Sequence, residues 1–374
     1  MQKTDYTIIG GGLVGMATAY GLALLGQRVT VLDEGDTAFR AARGNFGLLW
    51  VQGKGHGMGA YAQWTQAAVG LWPRLAALLL ADTGIDVQLR QPGGFQLCLS
   101  EAELADEARV LQEIQAALDV DYPFQVLDNT ELRTRLPGIG PQVVGACYSP
   151  LDGHVNPLKL LHALYAACRQ RNVTVLNGAK VDDIRQVAGG FDIRAGSRRV
   201  PSERLVLAAG LGNRALGAML GHEVPLQPSR GQILVTERIK PFLHYPTTYV
   251  RQTDEGTVQL GDSAERVGFD DRTSVAVMSQ IAARAVACFP QLEHVRLVRA
   301  WGSLRVLSPD GAPIYEELSA APGCFVVSCH SGVTLAAAHA LSLAPWIAGA
   351  KALPDVSSFS LQRFTPMSEV AHAH

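Results

Sequence analysis

No stretch of about 20 consecutive apolar residues, the length a transmembrane helix needs, occurs in the chain. The apolar segment 336–347 is shorter and is interrupted by His339 and Pro345, so it reads as a buried helix. Met1-Gln2-Lys3-Thr4-Asp5-Tyr6 leads straight into a strand, without a signal peptide's apolar core and cleavage site, and a cytoplasmic protein is expected. Clustered cysteine is also missing. The six cysteines lie far apart, and Cys324 and Cys329, the closest pair, lack CxxC spacing, so they read as reduced thiols. The ten histidines are too scattered for a metal site. No block of like charge stands out among 32 basic and 34 acidic residues, and a formal net charge of −2 gives no nucleic-acid or membrane footprint. Low-complexity tracts and repeats of solenoid period are absent as well.

What remains is a globular α/β composition: 48% hydrophobic, 18% charged and 38 glycines over 374 residues, enough chain for two domains. The first thirty-five residues are the most informative. Tyr6-Thr7-Ile8-Ile9 is a short apolar strand running into Gly10-Gly11-Gly12-Leu13-Val14-Gly15. Leu13 to Leu25 has helical spacing until Gly26, and a second strand, Arg28 to Leu32, closes on Asp33-Glu34. Strand, glycine turn, helix, strand and acid in this order make a dinucleotide-binding unit. Gly10 allows the tight turn, Gly12 lets backbone approach a pyrophosphate, and Gly15 lets helix and strand pack closely. The diphosphate would face the helix N-terminus, and Asp33, with Glu34 as the alternative, would accept from a ribose hydroxyl. The motif alone does not separate FAD from NAD.

Further along, 71–81 and 101–118 read as amphipathic helices flanking a strand at 94–99, and Asn129 reads as a helix start. Asn156-Pro157 reads as an N-cap followed by the first helical residue. Strands are predicted at 173–176 and at 205–210, the latter apolar throughout and ending on glycine. The segment 225–301 carries alternating patterns at 232–236, 247–250 and 258–260 with one helix at 274–287, a mixed sheet. The strand 324–328, the turn His330-Ser331-Gly332 and a helix from Thr334 repeat the N-terminal logic.

In this order and spacing the pieces resemble the D-amino acid oxidase superfamily of FAD enzymes, which includes glycine and sarcosine oxidases and the flavin subunits of opine oxidase, D-hydroxyproline dehydrogenase and hydrogen cyanide synthase. The pieces are the glycine turn with Asp33, Asp152-Gly153 with Asn156-Pro157, Ala208-Ala209-Gly210, Pro228-Ser229-Arg230-Gly231-Gln232, Leu304-Arg305 with Ser308-Pro309-Asp310-Gly311, and His330-Ser331-Gly332. The resemblance implies a Rossmann-like FAD domain assembled from 1–80, 140–222 and 302–374, interleaved with an α+β substrate domain from 81–139 and 223–301 built on a mixed or antiparallel sheet. It also implies that Arg43, Asn45, Phe46, Gly47 and Leu48 pass by the flavin. Val181 would lie near the adenine, Ala209 and Gly210 at the cofactor, and His330, Ser331, Gly332, Val333 and Thr334 at the isoalloxazine edge. A second GxGxxG is absent, which favours FAD as the only dinucleotide. Ser303 stands where covalent-flavin sarcosine oxidases carry cysteine, so noncovalent FAD is expected. The loop 49–56 lacks the arginine-rich helix of monomeric sarcosine oxidases.

The implied reaction is oxidation of the C–N bond of an amino acid or N-substituted amino acid: a D-amino acid, D-hydroxyproline, sarcosine, glycine or an opine. The α-carbon hydrogen must point at flavin N5, so orientation carries most of the catalysis. A guanidinium is the best carboxylate anchor, and Arg305 matches the carboxylate-binding arginine of the resembled oxidases. Arg251 is a second anchor candidate, Tyr249, two residues before it, a pocket candidate, and His56 a candidate in the glycine-rich loop. Two alternatives stand beside a self-sufficient enzyme: a flavin subunit passing electrons to an iron–sulfur or other acceptor partner, and a non-catalytic FAD-binding module.

Overall fold

The computed structural model describes residues 4–35, 41–350 and 355–364. Its larger sheet runs in the order Ile314–Glu317, Cys324–Ser328, Arg198–Leu207, Thr4–Ile9, Val29–Asp33, Thr174–Asn177, with the hairpin Asp183–Val187/Gly190–Ala195 added to Arg198–Leu207. The five strands from Cys324–Ser328 to Thr174–Asn177 are parallel. Period two divides their side chains between two cores. Ile8, Val31, Val206 and Phe325 face the helices Leu13–Leu24, Gly59–Thr83 and Pro157–Gln170, whereas Ile9, Leu32, Leu205 and Val326 face the antiparallel hairpin.

Two local rules explain helices that sequence periodicity drew imperfectly. Gly59–Thr83 begins well before the expected residue 71 and passes through Pro73. Proline has no N–H to donate to Val69 O, and Gln91 Nε2 donates to that carbonyl instead, at 3.2 Å. The helix expected from Asn129 is Asn129–Arg135, capped one residue earlier by Asp128 in a reciprocal box with Glu131. Asn156 caps Pro157–Gln170 as predicted, its Oδ1 accepting from Leu158 and Lys159 N–H at 3.2 and 3.1 Å. The C-terminal helix contains a wide π-turn at His339–Leu343, just before Pro345.

The second layer system is antiparallel. Gly94–Cys98 and Gln125–Asp128 flank Gly145–Ser149, and Val250–Gln252, Val258–Leu260, Gln227–Thr236 and Leu297–Leu307 form a four-stranded sheet. The two sheets meet where Phe95 N–H donates to Pro246 O at 3.1 Å and Thr248 N–H to Phe95 O at 3.2 Å. Gly145–Ser149 is thus the middle strand of the smaller sheet, although a boundary at 140 would place it with the dinucleotide layer. Leu297–Leu307 also crosses its expected boundary: it pairs with Gln227–Thr236, while Leu304 and Val306 are buried in the core under the parallel sheet. No helix among the described residues is long and apolar enough to cross a membrane.

Candidate active site

A cleft of about 560 Å³ opens at the carboxyl ends of the parallel strands, where such sheets bind ligands. Gly10 has φ +114°, and a Cβ there would sit 2.4 Å from Ala208 O. At Gly15 a Cβ would meet Gly10 O at 1.9 Å, so helix and strand touch through glycine alone. Gly12 differs: its Cβ would meet nothing closer than Ala42 Cβ at 3.9 Å. That open side, with Leu13 and Val14 at the helix N-terminus behind it, is the space a pyrophosphate requires.

Asp33 ends its strand buried, its carboxylate accepting from Gly11 N–H at 2.7 Å and Gly35 N–H at 2.9 Å. These contacts fix the acid on the wall of the cleft. Glu34, Val181, Ala209, Gly210 and Gly332 line the same cleft. A residue not singled out in the sequence ties its rim together. Buried Asn213 donates to Leu207 O and Ser328 Oγ at 2.9 and 2.8 Å and accepts from Ala209 N–H at 2.9 Å, joining the ends of two strands. The set fits an FAD, with a bare glycine face for phosphate, an acid for ribose and a long cleft between.

The cleft shares Asn45 and His330 with a cavity of about 230 Å³ that is also lined by Phe46, Leu48, Ser331, Val333, Thr334 and Arg305. Thr334 Oγ1 donates to Leu48 O and accepts from Trp50 N–H, each at 3.2 Å, and so joins the segment 45–50 to the turn after His330. Gly47 has φ +87° and donates to Asn45 Oδ1 at 2.7 Å; a Cβ there would sit 2.5 Å from Val155 O. Ser331 Oγ lies 3.0 Å from Tyr61 Oη. Arg305 donates from Nη1 to Ser263 O and from Nη2 to Asp262 Oδ2, both at 2.5 Å. A Cβ at Gly231 would lie 2.5 Å from the guanidinium nitrogens, so a larger residue there would displace the head of Arg305 from this position. His330 is half-buried beside Lys54 and Arg305, and desolvation and both cations push its pKa well down. It is therefore neutral, with Nδ1 accepting from Lys54 Nζ at 3.5 Å and its proton on Nε2.

The loop that holds Arg305 depends on a second guanidinium. Arg230 pairs with Glu265 at 2.6 Å and Asp270 at 3.1 Å. The Arg230 hydrogen bond holds the Glu265 carboxyl at about 2. A carboxyl depressed from its usual range stabilises the fold above about pH 4.5 and loses that contribution as pH falls toward 2. The melting-temperature gap between wild type and Glu265→Gln is accordingly expected to be widest near neutral pH and to close on acidification. A gap that widens below pH 4 would contradict the pairing.

Three expected placements, those of Arg251, Tyr249 and His56, differ in the structure. Arg251 lines not this cavity but a wider groove beside it, where its buried guanidinium donates to Gln259 Oε1 at 2.7 Å and Val155 O at 3.0 Å and approaches His154 Nδ1 at 3.2 Å. Those partners occupy its fork, so it does not share a pocket with Arg305. Tyr249 faces the core under the small sheet, with Arg284 stacked 4.1 Å from its ring, and Thr248 lines the cavity instead. His56 is on the surface, paired with Glu113 at 2.6 Å. Arg43 lies on the wall of that wider groove, of about 1220 Å³, which shares Gly44, Asn45, Ser303 and Leu304 with the neighbouring cavity.

The family model of FAD-dependent oxidoreductases (DAO) matches residues 5–346. A subunit of opine oxidase from Agrobacterium tumefaciens (strain Ach5) is 44% identical over 365 residues, covering 97% of this chain and 98% of that protein. Hydrogen cyanide synthase subunit HcnC of Pseudomonas aeruginosa is 29% identical over 416 residues, covering 98% of this chain and 98% of that protein. The crystal structure of glycine oxidase from Geobacillus kaustophilus superposes with a TM-score of 0.87 at 25% identity, covering 97% of this chain and 99% of that one. With the glycine cradle, the acid and the cleft in place, the chain belongs to the DAO family of FAD-dependent oxidoreductases.

Proposed function

We propose that the chain oxidises the C–N bond of an N-substituted amino acid, with an opine-type secondary amine as the first candidate. The observation that carries this is Arg305, a guanidinium fixed by Asp262 and Ser263 on the wall of a cavity that shares Asn45 and His330 with the dinucleotide cleft. Full-length similarity to the opine oxidase subunit favours the opine class among the amino acids the site could hold. When bound, FAD supplies the two-electron acceptor. Arg305 takes the substrate carboxylate through its charge-assisted fork, which leaves the α-carbon facing the segment 45–48 and the turn after His330. Neutral His330 adds no positive charge against the amine, which must be deprotonated to react. The C–N single bond becomes C=N as the α-carbon gives up its hydrogen with the electron pair and the nitrogen gives up a proton. Water then cleaves the imine to a 2-oxo acid and an amine.

The test is turnover of the holoenzyme with an artificial electron acceptor against D-amino acids, D-hydroxyproline, sarcosine, glycine and opines, with 2-oxo acid and amine measured as products. Equal amounts of both from an opine support the reading. A 2-oxo acid from a primary amino acid alone would remove the N-substituted class. The cofactor is proposed to be noncovalent, since Ser303 offers a hydroxyl on the cavity wall where a thiol would be required. Acid precipitation is expected to leave a colourless pellet and a yellow supernatant; a yellow pellet would show a covalent link.

A heteromeric arrangement is the second reading. Two of the relatives are named as subunits, and the wider groove adjoins the flavin cavity beside the exposed Leu297 and Val298 of an edge strand. All six cysteines are free and buried, so an iron–sulfur centre would belong to a partner. Co-purification of further subunits from the native host tests this, and a monodisperse chain fully active with its physiological acceptor would exclude it.

A further inference from the structure

Lys54 sits on the cavity wall, in a loop built to hold it there. Gly53, Gly55 and Gly57 take φ of +72°, +79° and +75°, a left-handed geometry that suits glycine. Lys54, between the first two, points into the cavity, while His56 points to solvent. The loop is pinned from several elements. Val51 N–H and Gln52 Nε2 donate to the two oxygens of fully buried Asp152, each at 2.6 Å, and Tyr122 Oη donates to Val51 O at 3.0 Å. Trp50 N–H adds its bond to Thr334 Oγ1. Lys54 is therefore a positioned cation and not a free surface side chain.

Its ammonium donates only to His330 Nδ1, at 3.5 Å, and no carboxylate forms an ion pair with it among the described residues. Asp262, the acid on the cavity wall, is engaged by Arg305, and Asp152 is used by the loop backbone. A cation held out of bulk water without a counterion is costly. Burial and neighbouring Arg305 accordingly lower the lysine to about 8, which still leaves most of it charged near neutral pH. Arg305 keeps unused donors as well, since its fork carries about five N–H groups and Ser263 and Asp262 take only part of them. Two cations thus border one cavity beside neutral His330, and Lys54 has no carboxylate partner of its own among the described residues.

We infer that Lys54 and Arg305 are two anion subsites of one cavity, and that Lys54 takes the second carboxylate of an N-(carboxyalkyl) amino acid whose first is held by Arg305. This rests on the amine-oxidation reading with an opine-type substrate and adds to it the residue that binds the second carboxylate. Anchoring both arms sets the nitrogen between two fixed points, so Lys54 decides which substrates are held rather than taking part in the bond change.

The test uses ligands that cannot react. Thiodiacetate has sulfur in place of the amine, and (methylthio)acetate is its monoacid counterpart; binding to the holoenzyme is read from perturbation of the visible flavin bands and from calorimetry. Thiodiacetate is expected to bind wild type at least about tenfold more tightly than the monoacid, equivalent to about 1.4 kcal/mol. Lys54→Met should bring the diacid to the monoacid's affinity while leaving the monoacid within about twofold, and Lys54→Arg should restore the preference. Lys54→Gln makes the same comparison if the methionine variant does not fold. Equal affinities in wild type, or a preference that survives both neutral variants, overturn the second subsite. Failure of the underlying reading looks different: no amino acid bleaches the flavin, whatever the two acids do.

Discussion

Gly12→Val is expected to fold, to purify colourless and to resist reconstitution with FAD. The backbone at Gly12 is extended, with φ −77° and ψ −176°, which a β-branched residue adopts readily. Its Cβ finds space, the nearest atom being 3.9 Å away. Loss of a glycine N-cap costs about 1 kcal/mol or less, so the melting temperature of the apoprotein should move by only a few degrees. The isopropyl group would fill the face reserved for the pyrophosphate, and the expected loss of FAD affinity is at least about a thousandfold. Gly15→Val should behave differently, because its Cβ would meet Gly10 O at 1.9 Å and the fold itself must give way. Measuring flavin absorbance and melting temperature for both variants separates the two roles. A yellow Gly12→Val protein would move the cofactor out of this cleft.

Arg305→Met should retain FAD and lose turnover. The guanidinium borders the smaller cavity and not the dinucleotide cleft, so cofactor content should match wild type. Removing one partner of a desolvated charge pair costs about 2–5 kcal/mol, which corresponds to a fall in kcat/KM of about thirtyfold to several thousandfold. Folding stability should change little, because the Asp262 side chain left behind is 46% exposed and remains hydrated. Arg305→Lys should recover only a small part of the rate, since a point charge cannot replace two directed donors. Unchanged kcat/KM in Arg305→Met would remove Arg305 from the anchor role and leave Lys54 as the cation to examine.

The parts of the fold that were legible in the sequence are those whose determinants lie close together along it. Gly10 to Asp33 spells its own strand, turn, helix and strand, and Asn156-Pro157 carries its own cap. What the sequence did not reveal depends on residues brought together from far apart. The start of the second helix at Gly59 was not legible across Pro73, because Gln91, which satisfies the freed carbonyl, lies in another segment. Asn213 gave no signal, since its partners at Leu207 and Ser328 come from two strands. Tyr249 and Arg251, two residues apart, would share one face of a regular strand, but the strand begins only at Val250: Val155 and His154 claim Arg251, and Arg284 covers Tyr249. In the glycine-rich loop the side chain that turns inward is that of Lys54 and not His56, because the left-handed backbone at Gly53, Gly55 and Gly57 sets which one faces the cavity.

The central claim is that the cavity beyond the dinucleotide cleft presents an amino acid's C–N bond to bound FAD. Its most direct test is the visible spectrum of the purified holoenzyme, recorded anaerobically before and after adding opines, D-amino acids, D-hydroxyproline, sarcosine and glycine. The account predicts flavin bands that bleach with an N-substituted amino acid and fail to bleach in Arg305→Met at the same concentration. Bands that no member of the panel bleaches, or that bleach equally in Arg305→Met, would contradict it.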